Sequence, residues 1–331
     1  MEMRTLGKSG IKVSSIGLGL MSMSGIYGNA NDEESIRVIH YALDKGINFL
    51  DSADMYGWGH NEELLGKALA SWKGGKRDGV IVATKFGQVK TADGKQDVDG
   101  SAAYVQKACE ASLKRLGIDV IDVYYQHRVD TKVPIEETVG AMKRLVEAGK
   151  VRALGLSEAR PETIRRAAKV HPIAAVQNEY SLLYRAEGEE TLKATRELGI
   201  SFVAYAPLGR SMLTGSVKGK ADLPDGDRRL AHPRFQAENL DKNVKIVKRL
   251  EEMAAKKKCT PAQLVLAWLL GQGKDIVPIP GTKRRQRVDE NLDALEVRLS
   301  AQDMKQISHI APVGAGAGPR YPADAMKRVY I

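Results

Sequence analysis

Apolar positions along this chain follow two alternating rhythms. Short runs rich in branched and aromatic residues occur at 15–20 ("SIGLGL"), 47–51 ("INFLD"), 80–85 ("VIVATK") and 120–127 ("VIDVYYQH"). Four more lie at 151–157 ("VRALGLS"), 173–179 ("IAAVQNE"), 200–206 ("ISFVAYA") and 275–280 ("DIVPIP"), which makes eight. Their length and composition predict buried strands. Between them the apolar spacing changes to the helical period. In "DEESIRVIHYALDKG", Ile36, Ile39 and Leu43 share one face and Gly46 supplies a stop. "NEELLGKALASW", "SAAYVQKACEASLKRLG", "PIEETVGAMKRLVEAGK", "PETIRRAAKV", "EETLKATRELG", the long region 238–271 and "KRRQRVDENLDAL" read the same way, with acids early and glycines late.

Strands that alternate with helices form βαβ units and a parallel sheet. Eight units predict a closed (β/α)8 TIM barrel rather than an open doubly wound sheet, organised as a single domain over residues 1–331. The leading piece "MRTLGKSGIKVSS" has a glycine-centred turn between two short alternating runs, and predicts an N-terminal β-hairpin at the barrel bottom.

Bulk composition narrows the rest. At 331 residues and 43% hydrophobic, the chain has ample material for a large core. No apolar run approaches the roughly 20 residues that cross a bilayer, and the first residues lack the apolar stretch of a secretory signal. Cys109 and Cys259 stand alone, with no metal or redox spacing, so a cytoplasmic location is expected. The net charge of +10 raises nucleic-acid binding as an option. The basic clusters "KRRQR" and "KKK" are not interleaved with aromatics, and aromatics make up 5% of the chain. Scattered surface lysines plus a pocket for an anionic ligand account for the charge without nucleic acid.

Chemistry in this kind of barrel sits at the C-terminal strand ends. Strand two ends on Asp51, with Tyr56 in the following loop; strand three ends on Lys85 and strand four on His127. Taken singly, each has an unremarkable role as a cap, a solvated lysine or a satisfied histidine. Together they make a proton-transfer set. A tyrosine, with a reference pKa of about 10, is a poor acid near neutrality. A nearby ammonium favours its phenolate, and a carboxylate keeps that ammonium charged and aimed. A histidine beside the phenol donates to a carbonyl oxygen. The set suits protonation of an alkoxide as hydride reaches carbon. No metal motif accompanies it, because the six histidines lie far apart. The loops "YAPLGRS" and "PIPGTKRRQRVDEN" lie where barrels bind phosphate, the second at a helix N-terminus with Lys283 and Arg287.

At this point the sequence resembles the aldo-keto reductase family. The carrying segments, in order, are "FLDSADMYGWGHNEELLGKAL", "VATKFG", "YYQHRVD", "GLSEA", "VQNEYSLLYR", "YAPLGR" and "PIPGTKRRQRVDEN". The resemblance covers nearly the whole chain. It implies NADPH/NADP+ as cofactor and Tyr56, Asp51, Lys85 and His127 as the catalytic residues. It also implies Tyr205 stacked on the nicotinamide, with Ser157 and Gln177 on its carboxamide. Leu208 and Gly209 would line the pyrophosphate. Thr282, Lys283 and Arg287 would hold the 2′-phosphate, and Glu290 and Asn291 would meet the adenine. Gly19, Met21, Asp51, Pro207, Ser211 and Gly281 are further expected cofactor contacts. Two positions depart from the family pattern: Glu158, where many members carry asparagine, and Ser211, where glycine is common.

The expected function is reduction of a small-molecule carbonyl compound, with Trp58, His127 and Arg128 in the substrate pocket and no metal, nucleic-acid or membrane partner. A monomer and a homo-oligomer are equally compatible with the sequence. The alternative on the same fold is an NADPH-binding regulatory or channel-associated subunit.

Overall fold

The computed structural model describes all 331 residues. The chain opens with a hairpin of two short antiparallel strands, β1 (Met3–Thr5) and β2 (Lys12–Ser14). Eight parallel strands follow: β3 (Leu18–Gly19), β4 (Phe49–Asp51), β5 (Ile81–Phe86), β8 (Ile121–Gln126), β9 (Val151–Ser157), β10 (Ile173–Glu179), β11 (Ser201–Tyr205) and β12 (Ile276–Pro278). Each pairs with its neighbour in chain order. The sheet closes on itself through a parallel bridge between Gly19 and Gly281 and a bond from the Gly17 N–H to the Pro278 carbonyl (3.0 Å). The expected barrel is therefore present, strand for strand.

Strand phase decides which residues reach the inside. Side chains two apart share a face. Phe49, Ile81, Ala83, Val123, Tyr125, Ala153, Ala175, Val203 and Val277 form the interior cluster. Continuing each strand by two residues brings Asp51, Lys85, His127, Gln177 and Tyr205 to the same face, one layer higher. Their neighbours of opposite phase, such as Val82, Tyr124 and Val176, pack outward against the helices. Gly155 belongs to the interior phase of β9; a Cβ there would lie 2.3 Å from the Tyr125 ring, so glycine makes room for that ring.

The hairpin seals the bottom. Leu6, Ile11 and Val13 join the interior cluster. The Gly7 N–H donates to Ser201 Oγ (2.8 Å), and a Cβ on Gly7 would come within 2.6 Å of the Ala174 carbonyl.

The outer ring consists of α1 (Asp32–Asp44), α2 (His60–Ser71), α3 (Ala102–Leu116), α4 (Ile135–Glu147), α5 (Pro161–Val170), α6 (Ala186–Leu198), α7 (Ala237–Lys256), α8 (Pro261–Leu270) and α9 (Arg285–Asp293). Local chemistry sets their ends: Asn31 and Ser101 cap α1 and α3, while Gly117 and Gly199 stop α3 and α6 in the left-handed region. The apolar period over 238–271 runs through two helices rather than one. Lys258 turns left-handed (φ 56°), and Thr260 and Gln263 form a capping box ahead of Pro261, so the chain restarts as α8. Four elements lie outside the sequence expectation: a hairpin of β6 (Gln88–Lys90) and β7 (Gln96–Val98), and two late helices, α10 (Ala301–Ile310) and α11 (Ala323–Met326). No helix is long and apolar enough to cross a membrane.

Candidate active site

The groups singled out at the strand ends converge. Lys85, fully buried, donates to Asp51 Oδ1 (2.5 Å) and to the Ser52 carbonyl (2.7 Å). Its ammonium stands 3.4 Å from the Tyr56 hydroxyl and 5.0 Å from the centre of that ring. The second Asp51 oxygen accepts from Gln177 Nε2 (2.7 Å). His127 meets Tyr56 edge to face, with ring centroids 5.7 Å apart, and its buried Nδ1 has no hydrogen-bond partner in the protein.

Burial dominates the proton affinities. It pushes the Asp51 carboxyl up and the Lys85 ammonium down, while each partner's charge pulls the other back. Burial, reinforced by the Asp51 charge, raises the Tyr56 phenol well above its ordinary value, with Arg128 opposing. The phenol is thus fully protonated near neutrality and has a proton to give. Burial also lowers His127 well below the usual imidazole range, with Arg128 and Lys85 adding to it. His127 is therefore neutral at physiological pH and suited to hydrogen bonding rather than to charge.

Arg128 donates to the His127 carbonyl (2.7 Å) and approaches Ser157 Oγ (3.4 Å). No carboxylate lies within salt-bridge distance of it, unlike its neighbours Arg210, Arg234 and Arg320. Trp58 is 43% exposed at the rim, with Lys90 of the β6–β7 hairpin 4.4 Å over its ring. Ser157 and Gln177 are buried at adjacent strand ends, in register on neighbouring strands. Tyr205 ends β11, its hydroxyl 3.2 Å from Tyr321 and 3.0 Å from Arg320.

The loop after β11 carries Pro207 and Leu208 and then runs left-handed through Gly209 (φ 57°), Arg210 (φ 55°) and Ser211 (φ 76°). Ser211 is one of the two departures noted above. Its backbone adopts the conformation that glycine takes freely and that costs an L-residue roughly 1 kcal/mol. Gly19 and Gly281 pair across the barrel seam beside the 3₁₀ turn Met21–Ser24; a Cβ on Gly281 would lie 3.1 Å from the Gly19 carbonyl.

Past that seam, α9 begins at Arg285, and Arg284 before it supplies no side-chain cap. Thr282 Oγ1 accepts from the Arg284 N–H (3.1 Å). Lys283 takes a direction that spacing did not show: its ammonium donates to the carbonyls of Tyr27 (3.0 Å) and Asn29 (2.7 Å), tying the loop after β3 to the loop after β12. A phosphate there would exchange carbonyl partners for charged ones. Arg287 pairs with Glu290 one turn on, and Asn291 is buried.

Several participants lay outside the sequence reading. Glu179 continues the interior phase of β10 beyond Gln177, a signal that strand period already offered. It meets Arg210 (3.0 Å) and Arg234 (2.9 Å). Arg320, a lone charge in a glycine-rich stretch, pairs with Glu158, the other departure. Asp54 is half-buried, its N–H on the Lys85 carbonyl (3.0 Å) and its buried Oδ1 unpartnered. Burial and the nearby Glu62 push its carboxyl up to about 8.

The fold agrees with what comparison shows. The aldo/keto reductase family profile matches residues 15–312, and the chain belongs to that family of oxidoreductases. It is 51% identical over 318 residues to a probable aldo-keto reductase 1 from Glycine max, covering 96% of this chain and 90% of that one. Among solved structures it resembles the glycerol dehydrogenase AKR11B4 from Gluconobacter oxydans (TM-score 0.84, 31% identity, 93% of this chain and 94% of that one). It also resembles the aldo-keto reductase AKR11C1 from Bacillus halodurans (TM-score 0.75, 30% identity, 94% and 96%).

Proposed function

We propose that this chain is an NADPH-dependent carbonyl reductase in which Tyr56 is the general acid. The observation that carries the reading is the buried Lys85–Asp51 ion pair, set against the Tyr56 hydroxyl with the His127 ring at its edge. Membership of the aldo/keto reductase family supports the reaction class.

The residues present fit a dinucleotide. The uncapped start of α9 leaves backbone N–H groups free for an anion, next to Thr282, Lys283 and Arg287. The seam at Gly19 and Gly281 carries no side chains, because a Cβ on either would press on the backbone across it. At the other end, Tyr205 offers a ring face, and Ser157 and Gln177 offer polar groups for an amide. Bound there, NADPH supplies a hydride.

The protein's own groups do the rest. His127 and Tyr56 hydrogen-bond the substrate carbonyl oxygen, which orients the carbon and draws charge toward oxygen. Tyr56 transfers its proton as the oxygen becomes an alkoxide, a far stronger base than a phenolate. Lys85, 3.4 Å away, then faces a phenolate and stabilises it by charge. Asp51 holds Lys85 and is itself held by Gln177. Arg128, with no carboxylate partner, and Trp58 at the rim form the substrate side. The two free cysteines accord with a cytoplasmic, reducing location.

The test is an NADPH-consumption screen over aromatic, aliphatic and sugar aldehydes and ketones. Steady turnover with at least one simple aldehyde is expected. No turnover across the panel, with NADPH bound, would contradict an enzymatic role.

A further inference from the structure

The densest buried charge outside the catalytic groups lies where β9, β10 and β11 end against the 312–331 segment. Glu158 stands at its centre. Its backbone is left-handed (φ 58°), and its hydrogen-bonding capacity is engaged on every side. Its N–H donates to Asn178 Oδ1 (2.7 Å), and its carbonyl accepts from the Ile331 N–H (3.0 Å). One carboxylate oxygen accepts from Arg320 Nη1 (2.7 Å) and the Glu179 N–H (3.2 Å); the other accepts from Arg320 Nη2. Arg320, 1% exposed, also reaches the Tyr205 hydroxyl (3.0 Å) and lies 3.8 Å from Glu179 and 3.5 Å from Glu187. With Arg210 and Arg234 on Glu179, three carboxylates face three guanidiniums and the charges balance.

Stability is a weak reason to keep such a cluster, because well-packed apolar residues often serve as well or better. Its placement is more informative. Among the groups that Arg320 meets, two adjoin the positions expected to receive the nicotinamide: Glu158, immediately after Ser157, and Tyr205. The backbone at Glu158 is one that an L-residue does not hold unaided. The Arg320 fork and the Ile331 N–H grip it from both ends. Arg160 repeats the second grip by donating its N–H to the Ile331 carbonyl (2.9 Å).

We propose that Arg320 is a positioning residue for the reaction: through Glu158 and Tyr205 it fixes Ser157 and the Tyr205 ring in the places that receive the nicotinamide. The inference rests on the NADPH reading above. It assigns the 312–331 segment a role in how the reactive end of the cofactor is held, and none at the adenosine end, where Thr282, Lys283 and Arg287 lie. Burial works to raise the Glu158 carboxyl and the Arg320 charge outweighs it, so the ion pair stays intact near neutrality.

The two ends are separable by binding. Affinity is measured for NADPH and for 2′-phosphoadenosine 5′-diphosphoribose, which lacks the nicotinamide, in wild type, Arg320→Lys, Ile331→Pro and the charge-balanced pair Glu158→Gln/Arg320→Gln. Ile331→Pro removes the N–H that Glu158 accepts, and the paired variant guards against loss of fold in Arg320→Lys. In folded Arg320→Lys and in the paired variant the preference for NADPH over the truncated nucleotide is expected to shrink about tenfold or more, the loss of one charge-assisted contact, and in Ile331→Pro, which loses a neutral backbone bond, by about two- to tenfold. Affinity for the truncated nucleotide should stay within about twofold of wild type. A merely structural cluster would weaken both ligands together or neither; either result overturns the assignment of Arg320. Wild type that binds neither nucleotide takes down the NADPH reading, and the inference with it.

Discussion

Lys85 and Asp51 form an ion pair 2.5 Å long in the barrel interior, both side chains almost fully removed from water. Neither charge would be tolerated alone there, since an unpaired buried ion costs several kcal/mol in practice. The pair persists because each partner is held by a third group, the Ser52 carbonyl on the lysine and the Gln177 amide on the aspartate. What this arrangement maintains is a cation beside the Tyr56 hydroxyl.

Replacing Lys85 by Met removes that cation at similar volume. In the mechanism proposed above, alcohol oxidation uses Tyr56 as a phenolate, so activity should rise with pH through the Tyr56 pKa. Burial already lifts that pKa above its ordinary value. A lost cation destabilises the phenolate further, so the rising limb should move to higher pH. The check is a pH profile of kcat/KM for alcohol oxidation in both proteins. A reduced rate on an unshifted profile would leave Lys85 a packing residue.

Asp54 should make stability depend on pH. Its folded pKa of about 8 exceeds the unfolded value near 4, so the folded state binds more protons across that interval and stability falls as pH rises from about 4 to about 8. Asp54→Asn removes the titration. Its stability advantage over wild type should grow from pH 5 to pH 8, to the order of a few kcal/mol, and level off above that. Denaturant melts at pH 5, 6.5 and 8 measure it. A gap that stays constant with pH would mean that Asp54 is not protonated in the fold.

Cofactor preference should reside in Lys283 and Arg287. NADPH and NADH differ by one 2′-phosphate, and no acid among residues 278–288 is present to favour a ribose hydroxyl instead. Hydrogen bonds to charged groups are worth about 1.5–3 kcal/mol each, so two of them, discounted for exposure, predict a preference of roughly 30- to 1000-fold. Lys283→Ala/Arg287→Ala should lose most of it with little change toward NADH. Because Lys283 also bonds the carbonyls of Tyr27 and Asn29, its single variant should loosen the loop after β3, seen as faster amide exchange at residues 27–29. Equal kcat/KM for both cofactors in wild type would contradict the assignment.

Much of this was legible in the chain because it follows from period. Alternating apolar runs specify the strands, and the same period of two, extended by one step, lifts Asp51, Lys85, His127, Gln177 and Tyr205 into the barrel mouth. Less regular parts resisted reading. The 238–271 region kept its helical period across a break made by a left-handed lysine and a Thr-Pro cap. The β6–β7 hairpin is largely exposed, so its sequence carries no apolar alternation. Partnerships across hundreds of residues have no local signature. Nothing near Glu158 announces that Arg320 will pair with it, and nothing in "GTKRRQR" announces that Lys283 will turn to the loop at 27–29.

The most direct measurement is single-turnover hydride transfer from NADPH to a simple aldehyde in Tyr56→Phe, alongside NADPH affinity. The substitution removes one hydroxyl from a residue buried against Lys85 and His127, and leaves its ring in place. Loss of a general acid typically lowers a rate by about 10²- to 10⁴-fold, and that is the predicted fall, with NADPH affinity within about threefold of wild type. A transfer rate within about threefold of wild type would contradict the assignment of Tyr56 as the proton donor.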